Sequence, residues 1–410
     1  MRAILFLILI LSFSITALAQ QPKITYYKNG KKHSEGVYRD SLKQGLWTDY
    51  YESGKIWTKG WYNAGKKDSI WTTFFEDSTL KSVVNVINGS IQSWYSNGNK
   101  EVEGFNKNGK FNGAFKFYFQ NGKVESEGEY RDGKKVGHWK FYLITGKLDM
   151  EGSFEEGLQE GVWTYYHSSG KVYTQGHFVG GKEEGEWVYF YDSNDRKIHK
   201  KGTFSKGKKN GVWTTWFEGG QKLQEGEYKN GSEEGHWLAW YENGQIKDDG
   251  FFKEGRMDGM WKGYYPDGSV NYKGARKNGL REGVWEFYNM KKQLVEKTTY
   301  KEGIEDGFHA LWTDKGILKE EGSYLRGERE GKWKYNYENG VPFAEENYKM
   351  GKLHGKKIGY YPNAKIQITS KYKGGKAHGT WINYDDKGNK VYETSFKDGK
   401  KIKEKDLLQK

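Results

Sequence analysis

Tryptophan recurs at a fixed spacing along most of the chain, and this period constrains the fold more than any other feature. Fifteen positions, called slots here, follow one another at 24 residues, with one step of 20 and one of 26. Self-similarity at about 20 to 50 residues marks a repeat protein, whose units fold only against their neighbours. Eleven slots hold Trp, and a glycine stands two residues before each slot except the second, which follows Ser69. The slots are Trp47, Trp71, Ile91, Phe115, Trp139, Trp163, Trp187, Trp213, Trp237, Trp261, Trp285, His309, Trp333, Lys357 and Trp381.

Each unit contains two short strand-like segments separated by glycine turns. The slot residue lies in a β-rich segment that ends in a turn such as Asn243-Gly244, and Asn-Gly is a strong hairpin signal. The second segment carries Glu-Gly-x-aromatic, as in residues 225–228, and closes in a connection such as residues 133–137. Glycine at this density disfavours helix. The sequence therefore predicts an all-β fold: an elongated tandem array of about fifteen 24-residue β-hairpins that form a twisted antiparallel sheet.

Aromatic residues make up 17% of the chain, which argues against disorder despite a mean hydropathy of −0.97. Because side chains alternate along a strand, the slot residue and the residue four later are expected to share one face, and the residue three later to face the other way. Tryptophans three residues after a slot are candidates to stack on a ligand: Trp94, Trp216, Trp240 and Trp312. The slot tryptophans expected to pack between units include Trp47, Trp139, Trp163, Trp187, Trp213, Trp237, Trp261, Trp285, Trp333 and Trp381.

The N-terminal segment has the pattern of an export signal. Arg2 gives one positive charge, residues 3–11 are an unbroken apolar run, and Ala19 ends a small-x-small cleavage pattern. We expect cleavage after Ala19 and an exported protein, periplasmic or secreted, with no transmembrane segment in the mature chain. An uncleaved membrane anchor is the alternative, but polar residues shorten the apolar run. The predicted organisation is a signal peptide over 1–19, a short leader over 20–24, the repeat array over 25–399 and a charged C-terminal tail over 400–410.

The net charge of +13 comes mainly from lysine. Lysine in turns keeps a sheet soluble and discourages aggregation, which is the simpler explanation. It also favours an anionic partner, such as lipid headgroups, acidic polysaccharide or nucleic acid, and the predicted export makes nucleic acid the least favoured of these. Candidate residues of such a basic rim are Lys66, Lys67, Lys134 and Lys135.

Side chains suited to catalysis or cofactor binding form no recognisable pattern. The chain has no cysteine, which excludes disulfides, thiolate zinc sites and Cys nucleophiles. The nine histidines include no pair at metal-ligand spacing. Acidic pairs such as Glu233-Glu234 recur at a connection, where a solvated rim is favoured over a two-carboxylate site. We therefore predict no catalytic, metal or cofactor site and no enzymatic activity.

The unit reads roughly G-x-W-x-x-Y-Y-x-x-G-K-x-x-x-E-G-x-Y and resembles the MORN repeat family, in particular its bacterial variant. The cleanest copy runs from Gly235 through Trp237, Tyr241 and Gly250 to Gly259. The resemblance covers roughly residues 25–399. It implies a β-hairpin array used for binding and scaffolding, sometimes at membranes, and some bacterial relatives are antitoxin or immunity components.

Two functions of different classes are consistent with these features. We expect a non-enzymatic extracytoplasmic scaffold that binds a protein partner, of which an immunity or antitoxin-like module is one form. The alternative is a protein that binds envelope glycan or an anionic surface through exposed aromatics and lysine-rich turns. The register also makes a prediction about packing: restoring the pattern with His309→Trp is expected to be neutral or stabilising.

Overall fold

The computed structural model describes residues 21–408, so the predicted signal peptide over 1–19 lies outside the described residues. The chain divides into two compact units. Unit 1 comprises the residues up to Val172 together with Phe178–Gly181, and unit 2 comprises Tyr173–His177 together with the residues from Lys182 onward. Within residues 21–408, no helix is long and apolar enough to cross a membrane.

Unit 1 consists of short β-strands that pair antiparallel with their neighbours along the chain. The last of its strands, β15, contributes residues to both units. The strands are β1 (Lys23–Tyr26), β2 (Lys32–Arg39), β3 (Leu42–Tyr50), β4 (Ile56–Asn63), β5 (Lys66–Phe74), β6 (Leu80–Asn85), β7 (Ser90–Trp94), β8 (Lys100–Lys107), β9 (Lys110–Phe111), β10 (Gly113–Tyr118), β11 (Val124–Arg131), β12 (Lys134–Tyr142), β13 (Leu148–Glu155), β14 (Leu158–Tyr166) and β15 (Val172–Val179).

Unit 2 repeats the same antiparallel pairing. The prediction of an all-β array of antiparallel hairpins is thus confirmed in each unit. The strands are β16 (Lys182–Phe190), β17 (Ile198–Ser205), β18 (Lys208–Trp216), β19 (Lys222–Lys229), β20 (Ser232–Trp240), β21 (Ile246–Lys253), β22 (Arg256–Met257), β23 (Gly259–Tyr264), β24 (Val270–Lys277), β25 (Leu280–Tyr288), β26 (Leu294–Lys301), β27 (Ile304–Trp312), β28 (Leu318–Leu325), β29 (Glu328–Asn336), β30 (Pro342–Lys349), β31 (Lys352–Leu353), β32 (Gly355–Tyr360), β33 (Ile366–Lys373), β34 (Lys376–Ala377), β35 (Gly379–Tyr384), β36 (Lys390–Lys397) and β37 (Lys400–Asp406).

Slot tryptophans form most of the buried core, and each of the best-buried ones lies on a glycine of the preceding strand. Trp237 on β20 is only 6% exposed and stands opposite Gly226 on β19. A Cβ atom added to Gly226 would lie 2.1 Å from the indole Cδ2, so any side chain there would occupy the space of the ring. Eleven slot aromatics share this arrangement, with a distance of 2.1–2.4 Å in each. The glycine of the Glu-Gly motif therefore leaves the space in which the tryptophan of the next strand packs. We call it the seat glycine and its place in each repeat the seat position.

A bulge beside each slot directs the indole onto this seat. In β20, Gly235 has a φ of 68°, and the register shifts so that Glu234 rather than His236 stands opposite Glu227. The indole Nε1 of Trp237 donates a hydrogen bond to the Glu227 carbonyl at 3.2 Å. All eleven slot tryptophans make the equivalent bond to the carbonyl ten residues earlier, at 2.9–3.3 Å. The polar edge of the indole is thereby satisfied while its rings are buried.

Further rings and cations cover the indoles on this side of the sheet, called the Trp face. Around Trp139, the Tyr130 ring packs edge-on at 5.1 Å and the Phe141 ring stacks at 5.8 Å between centroids. The Lys135 ammonium lies 4.4 Å from the centroid of the Trp139 ring, and burial lowers its pKa. The ring that stacks within the strand thus comes from the residue two after the slot, whereas the sequence suggested the residue four after it.

Side chains in the turns connect each repeat to the next. Tyr241, four residues after its slot, donates its hydroxyl to the Tyr264 carbonyl at 2.8 Å, and Asn243 donates its amide to the Pro266 carbonyl at 2.8 Å. At the opposite end of the strands, the Glu234 carboxylate accepts the backbone N–H of Glu254 at 2.9 Å. The acidic pair that was interpreted as solvated rim therefore contains a residue that caps the next turn.

Two sequence predictions need correction at the C-terminal end of unit 2. Residues Lys400–Asp406, predicted to be part of a charged tail, form β37, because their backbone continues the ladder of β36. Trp381, expected to be packed like the other slot tryptophans, is half-buried. Ser370, eleven residues before Trp381, is buried at the position where the regular repeats have the seat glycine.

Candidate functional site

A row of mostly charged residues crosses the sheet on the face opposite the tryptophans. It contains the residue after each slot and the residue, most often Glu or Lys, that precedes each seat position, and these stand directly opposite one another on neighbouring strands, about 4.8 Å apart. We call it the charge row. In unit 1 it consists of Glu35, Thr48, Lys59, Thr72, Val83, Gln92, Glu103, Lys116, Glu127, Lys140 and Glu151. In unit 2 it includes Lys201, Thr214, Glu225, Leu238, Asp249, Lys262, Lys273, Glu286, Lys297, Ala310, Glu321, Lys334 and Glu345.

Hydrogen bonds hold the carboxylates of the charge row in their ionised form. In unit 1, the Lys116 ammonium lies 2.9 Å from Glu127, and the Tyr142 hydroxyl donates to the same carboxylate at 2.7 Å. The Tyr142 and Lys116 hydrogen bonds lower the pKa of Glu127. Burial, helped by the bond to Glu127, raises the pKa of Tyr142 to about 12. The Tyr118 hydroxyl binds Glu103 at 2.5 Å in the same way.

The same arrangement occurs in unit 2, with two cations on one carboxylate. Lys273 and Lys297 lie 2.8 and 3.0 Å from the two oxygens of Glu286. Together with a 2.7 Å hydrogen bond from Tyr288, they lower the pKa of Glu286 to about 2, with Lys273 the largest cause. The charge row thus presents charges of both signs, many of them paired with one another, rather than a field of one sign.

Large apolar side chains are exposed beside the charge row and on the same face. They stand one residue before a slot, hence two residues from a member of the charge row, which places both on one side of the strand. Their exposed fractions are 42–56%. Apolar residues aligned in this way indicate an interaction surface more than a surface meant for water. We call them the apolar row; they are Leu46, Ile70, Val162, Val212, Met260, Val284 and Phe308.

The apolar row is interrupted in unit 1 by a groove of about 550 Å³. The positions before slots Ile91 and Phe115 hold the small residues Ser90 and Ala114, so the space filled elsewhere by Leu, Val or Met is open. Phe105, which is 47% exposed, and members of the charge row line this space. A protruding partner side chain would meet an aromatic wall and a charged floor here.

The candidate tryptophans lie near the hairpin turns of their own repeats. Trp94 in unit 1 and Trp216, Trp240 and Trp312 in unit 2 are all half-buried, neither free platforms nor core residues. Trp240 lines a groove of about 460 Å³. The four do not form one aromatic surface in the described residues.

The two candidate lysine pairs are divided between different environments. The Lys67 ammonium lies 4.1 Å from the centroid of the Trp71 ring, and Lys135 covers Trp139. Lys66 is exposed, and Lys134 forms an ion pair with Glu156 at 2.8 Å. Successive residues of a strand face opposite ways, so one lysine of each pair lies over an indole; Lys66, Lys67 and Lys134 are exposed, and Lys135 is half-buried.

The charge row and the apolar row were not recognised in the sequence. A signal existed, because Glu recurs before the seat glycine and an aliphatic residue recurs before the slot. Interpreting that signal required knowing that the bulge brings these two positions onto one face.

For metal binding, residues 21–408 contain no group of three His, Asp or Glu side chains placed to hold an ion.

Solved structures with a detectable likeness are much larger than this chain. They include a crystal structure of TcdB2-TccC3-Cdc42 (11% identity, TM-score 0.15), which aligns with 92% of this chain and 22% of that chain. A crystal structure of TcdB2-TccC3 aligns with 91% of this chain and 22% of that one, at 12% identity and a TM-score of 0.16. A Photorhabdus luminescens Tc holotoxin pore gives 11% identity, 92% and 22% coverage and a TM-score of 0.15. The chain therefore spans about a fifth of these proteins, and no curated protein matches it.

The repeats themselves match a family model. Eight segments correspond to the MORN repeat variant: residues 43–64, 111–132, 159–179, 209–230, 233–254, 257–278, 329–350 and 377–398. Each segment contains a slot together with the second strand that follows it, in the register that the structure shows. The chain belongs to the MORN repeat variant family.

Proposed function

We propose that this protein is a non-enzymatic scaffold that binds a protein partner through the apolar row and the flanking charge row. The observation that carries this proposal is that Met260, Val284 and Phe308 hold this position in three consecutive repeats of unit 2, each 42–49% exposed. Burial of such side chains against a partner is favourable, and paired charges beside them give specificity and orientation.

The chemistry of this face favours a protein over an anionic surface. All members of the apolar row except Phe308 lack a ring on which a sugar could stack, and none carries a charge for a phosphate. The lysines of the charge row are largely paired with carboxylates, as Lys116 is with Glu127 and Lys273 is with Glu286. An extended protein surface with complementary apolar and charged residues fits better.

The site of action and the partner are narrower parts of the same proposal. The signal pattern of residues 1–19 supports action outside the cytoplasm. The resemblance to bacterial repeat proteins supports an immunity role, in which the partner is a toxin. If the partner is harmless to cells when it is expressed alone, the immunity role is contradicted. The scaffold proposal is unaffected by that result.

Site-specific photo-crosslinking in the producing cell tests the proposal. A photoreactive amino acid at Met260 or Val284 is expected to capture one and the same protein. The matched control is Ile144, which is apolar and 63% exposed but lies in a hairpin turn. Capture of the same protein from Ile144 with equal yield would contradict docking on the apolar row.

Affinity for the purified partner provides the quantitative test. Met260→Asp or Val284→Asp is expected to weaken binding at least tenfold, whereas Ile144→Asp leaves it unchanged. Because the apolar contacts dominate, the affinity should change little with salt, although exposed charges are screened over about 10 Å at 0.1 M. A steep loss of affinity with salt, unaffected by the Asp variants, would instead support the anionic-surface function.

A further inference from the structure

Three pairs of lysines stand along one edge of unit 2 near its C-terminal end. Each pair closes the two-residue turn that leads into the next repeat, and its two members stand directly opposite each other in the ladder. Like charges in that arrangement destabilise a sheet. All six side chains are exposed. We call them the lysine edge; they are Lys349 with Lys352, Lys373 with Lys376 and Lys397 with Lys400.

The three turns of the lysine edge follow one another in consecutive repeats and touch. The Gly375 backbone N–H donates a hydrogen bond to the Leu353 carbonyl at 2.8 Å. A Cβ atom added to Gly375 would lie 3.9 Å from the Lys352 Cβ, and one added to Gly399 would lie 3.8 Å from the Lys376 Cβ. The lysine pairs are therefore in line, two strands or about 9.6 Å apart along the sheet.

The acidic residues that accompany this edge in earlier repeats of unit 2 are replaced in the last two. Glu330, three residues before its slot, accepts the backbone N–H of Met350 at 2.8 Å, and the same position holds His354 and His378 in the repeats that follow. No ion pair within residues 21–408 includes a member of the lysine edge. The edge thus carries a positive charge that ion pairs do not neutralise. The acidic residues at the earlier positions are Glu234, Asp258, Glu282, Asp306 and Glu330.

Further polar residues continue the lysine edge on the face of the charge row. Lys371 is two residues from Lys373 on the same strand, so both side chains point to that face. Lys356 stands directly opposite Lys371, which makes a further pair of like charges. Thr380 and Ser395, the next pair along this row, offer hydroxyl groups. This surface therefore combines ammonium groups with neutral hydrogen-bonding groups and contains no ring.

The composition of this surface indicates the class of anionic ligand. Protein interfaces are enriched in aromatic residues and arginine and depleted in lysine. Arginine is also the residue suited to phosphate and nucleic-acid recognition, and residues 330–410 contain none. Single-stranded nucleic acid requires rings for stacking, and a bilayer requires an apolar face. Ammonium and hydroxyl groups without rings fit the carboxylates and hydroxyls of an acidic sugar chain.

We propose that the lysine edge binds a linear acidic polysaccharide, whose carboxylates meet successive lysine pairs while its hydroxyls bind Thr380 and Ser395. A linear polymer with regularly placed charges can follow three turns that lie in line. The attraction of many anionic groups to them also offsets the repulsion within each pair. The proposal does not depend on a protein partner, because the apolar residues Met260, Val284 and Phe308 belong to earlier repeats.

Fluorescence anisotropy with end-labelled polymers and the full mature chain tests this inference. The probes are a linear uronic acid oligomer and a neutral hexose oligomer of equal length. Duplex DNA and vesicles of phosphatidylcholine with phosphatidylglycerol are added as competitors. We expect binding of the uronic acid oligomer alone, weakened at least tenfold between ~0.1 M and ~1 M salt, where the screening length falls from ~10 Å to ~3 Å. Absence of that binding at ~0.1 M salt, equal binding of the neutral oligomer, or tighter binding of DNA or vesicles would overturn the inference.

Charge reversal locates the binding on the lysine edge. Lys373→Glu with Lys376→Glu reverses the central pair and is expected to weaken binding of the uronic acid oligomer at least tenfold. The control is Lys253→Glu with Arg256→Glu, the equivalent opposite pair five repeats earlier, which changes the net charge by the same amount. It should leave the affinity nearly unchanged; equal losses would show that only net charge matters and would contradict the assignment.

A milder variant covers the case in which charge reversal disturbs folding. Lys373→Gln with Lys376→Gln removes the repulsion within the pair, so the protein should melt at the same or a higher temperature while binding of the oligomer weakens severalfold. Unchanged binding by this variant would contradict the proposal. Affinity for the protein partner should be the same in all these variants, so failure of this inference leaves the scaffold proposal untouched.

Discussion

The repeat around Trp237 and the repeats around His309, Lys357 and Trp381 use the same backbone but different packing. In the regular repeat, Trp237 lies on Gly226 and is 6% exposed. In the irregular repeats, the positions eleven residues before the slot hold Thr298, Glu346 and Ser370, and Thr298 stands directly opposite His309. At His309 and Lys357, both the slot Trp and the seat glycine are replaced. At Trp381, the Trp remains without a seat glycine and is half-buried.

Polar contacts replace ring stacking where the seat is occupied. His309, only 5% exposed, has its Nδ1 2.8 Å from the Thr298 hydroxyl and its Nε2 3.6 Å from Glu320. At the next slot, the Lys357 ammonium lies 2.7 Å from the Glu346 carboxylate. The comparison teaches that the repeated unit is a pair of positions eleven residues apart, and that a tryptophan is useful only above a glycine.

The largest expected effect comes from removing the indole of a regular repeat. Trp237→Ala should lower the local free energy of unfolding by about 3 to 5 kcal/mol, since it leaves a cavity between repeats and frees the Glu227 carbonyl. Native-state hydrogen exchange of β19 to β21 measures this loss. Trp381→Ala is the matched variant in an irregular repeat and should cost clearly less; equal losses would show that the seat glycine does not matter.

Filling the seat should cost somewhat less than removing the indole. Gly226→Ala puts a methyl group 2.1 Å from the ring atoms of Trp237, so the indole must shift, at a cost of about 1 to 3 kcal/mol. Urea denaturation monitored by tryptophan fluorescence measures the change. Gly219→Ala is the control, because its added Cβ would meet only the flexible Gln221 side chain. Equal stability of the two variants would contradict the close contact between the Trp237 ring and the Gly226 backbone.

The structure changes the expectation for His309→Trp. Thr298 is fully buried in the space where an indole would have to lie, so the single substitution should be destabilising by about 1 to 2 kcal/mol instead of neutral. The double variant Thr298→Gly with His309→Trp restores the regular pair and should recover the loss. A double-mutant cycle by thermal denaturation measures the coupling. Additive effects would show that the two positions do not form one packing unit.

The smallest expected effect is the pH dependence that Glu320 contributes in the irregular region. The hydrogen bond with His309, helped by Arg329, lowers the pKa of Glu320 from its usual value of 4.5. A carboxylate with a lowered folded-state pKa stabilises the fold above its unfolded pKa, and this stabilisation is lost as the pH falls through the folded value. We expect about 1 kcal/mol or less.

Hydrogen exchange of β27 to β29 at several pH values between neutral and about 4 tests this expectation. Opening should become easier on acidification, and Glu320→Gln should remove most of the change. An acid response that Glu320→Gln leaves unchanged would mean that the polar replacement at His309 is not the source.

The sequence by itself determined the 24-residue period, the all-β hairpin array and most of the packed tryptophans. These follow from local rules, because turn glycines and alternating side chains act within one hairpin. Those rules do not predict the partial exposure of Trp381, because its burial depends on Ser370 in the neighbouring strand. Nor do they predict the strand within the expected tail over 400–410. A charged segment forms a strand there because the neighbouring strand β36 offers free backbone hydrogen-bonding groups.

Only the tertiary structure decided which positions meet across strands. The bulge at Gly235 determines that Trp237 lies on Gly226, and the same register places Val212 beside the charge row. The lysine edge depends on the ladder too, because the pairing of β33 with β34 places Lys373 directly opposite Lys376. Lys67 and Lys135 cover indoles for a similar reason, because the pleat turns adjacent lysines to opposite faces. Periodicity determines the strands, whereas contacts between neighbouring strands determine the surface available to a ligand.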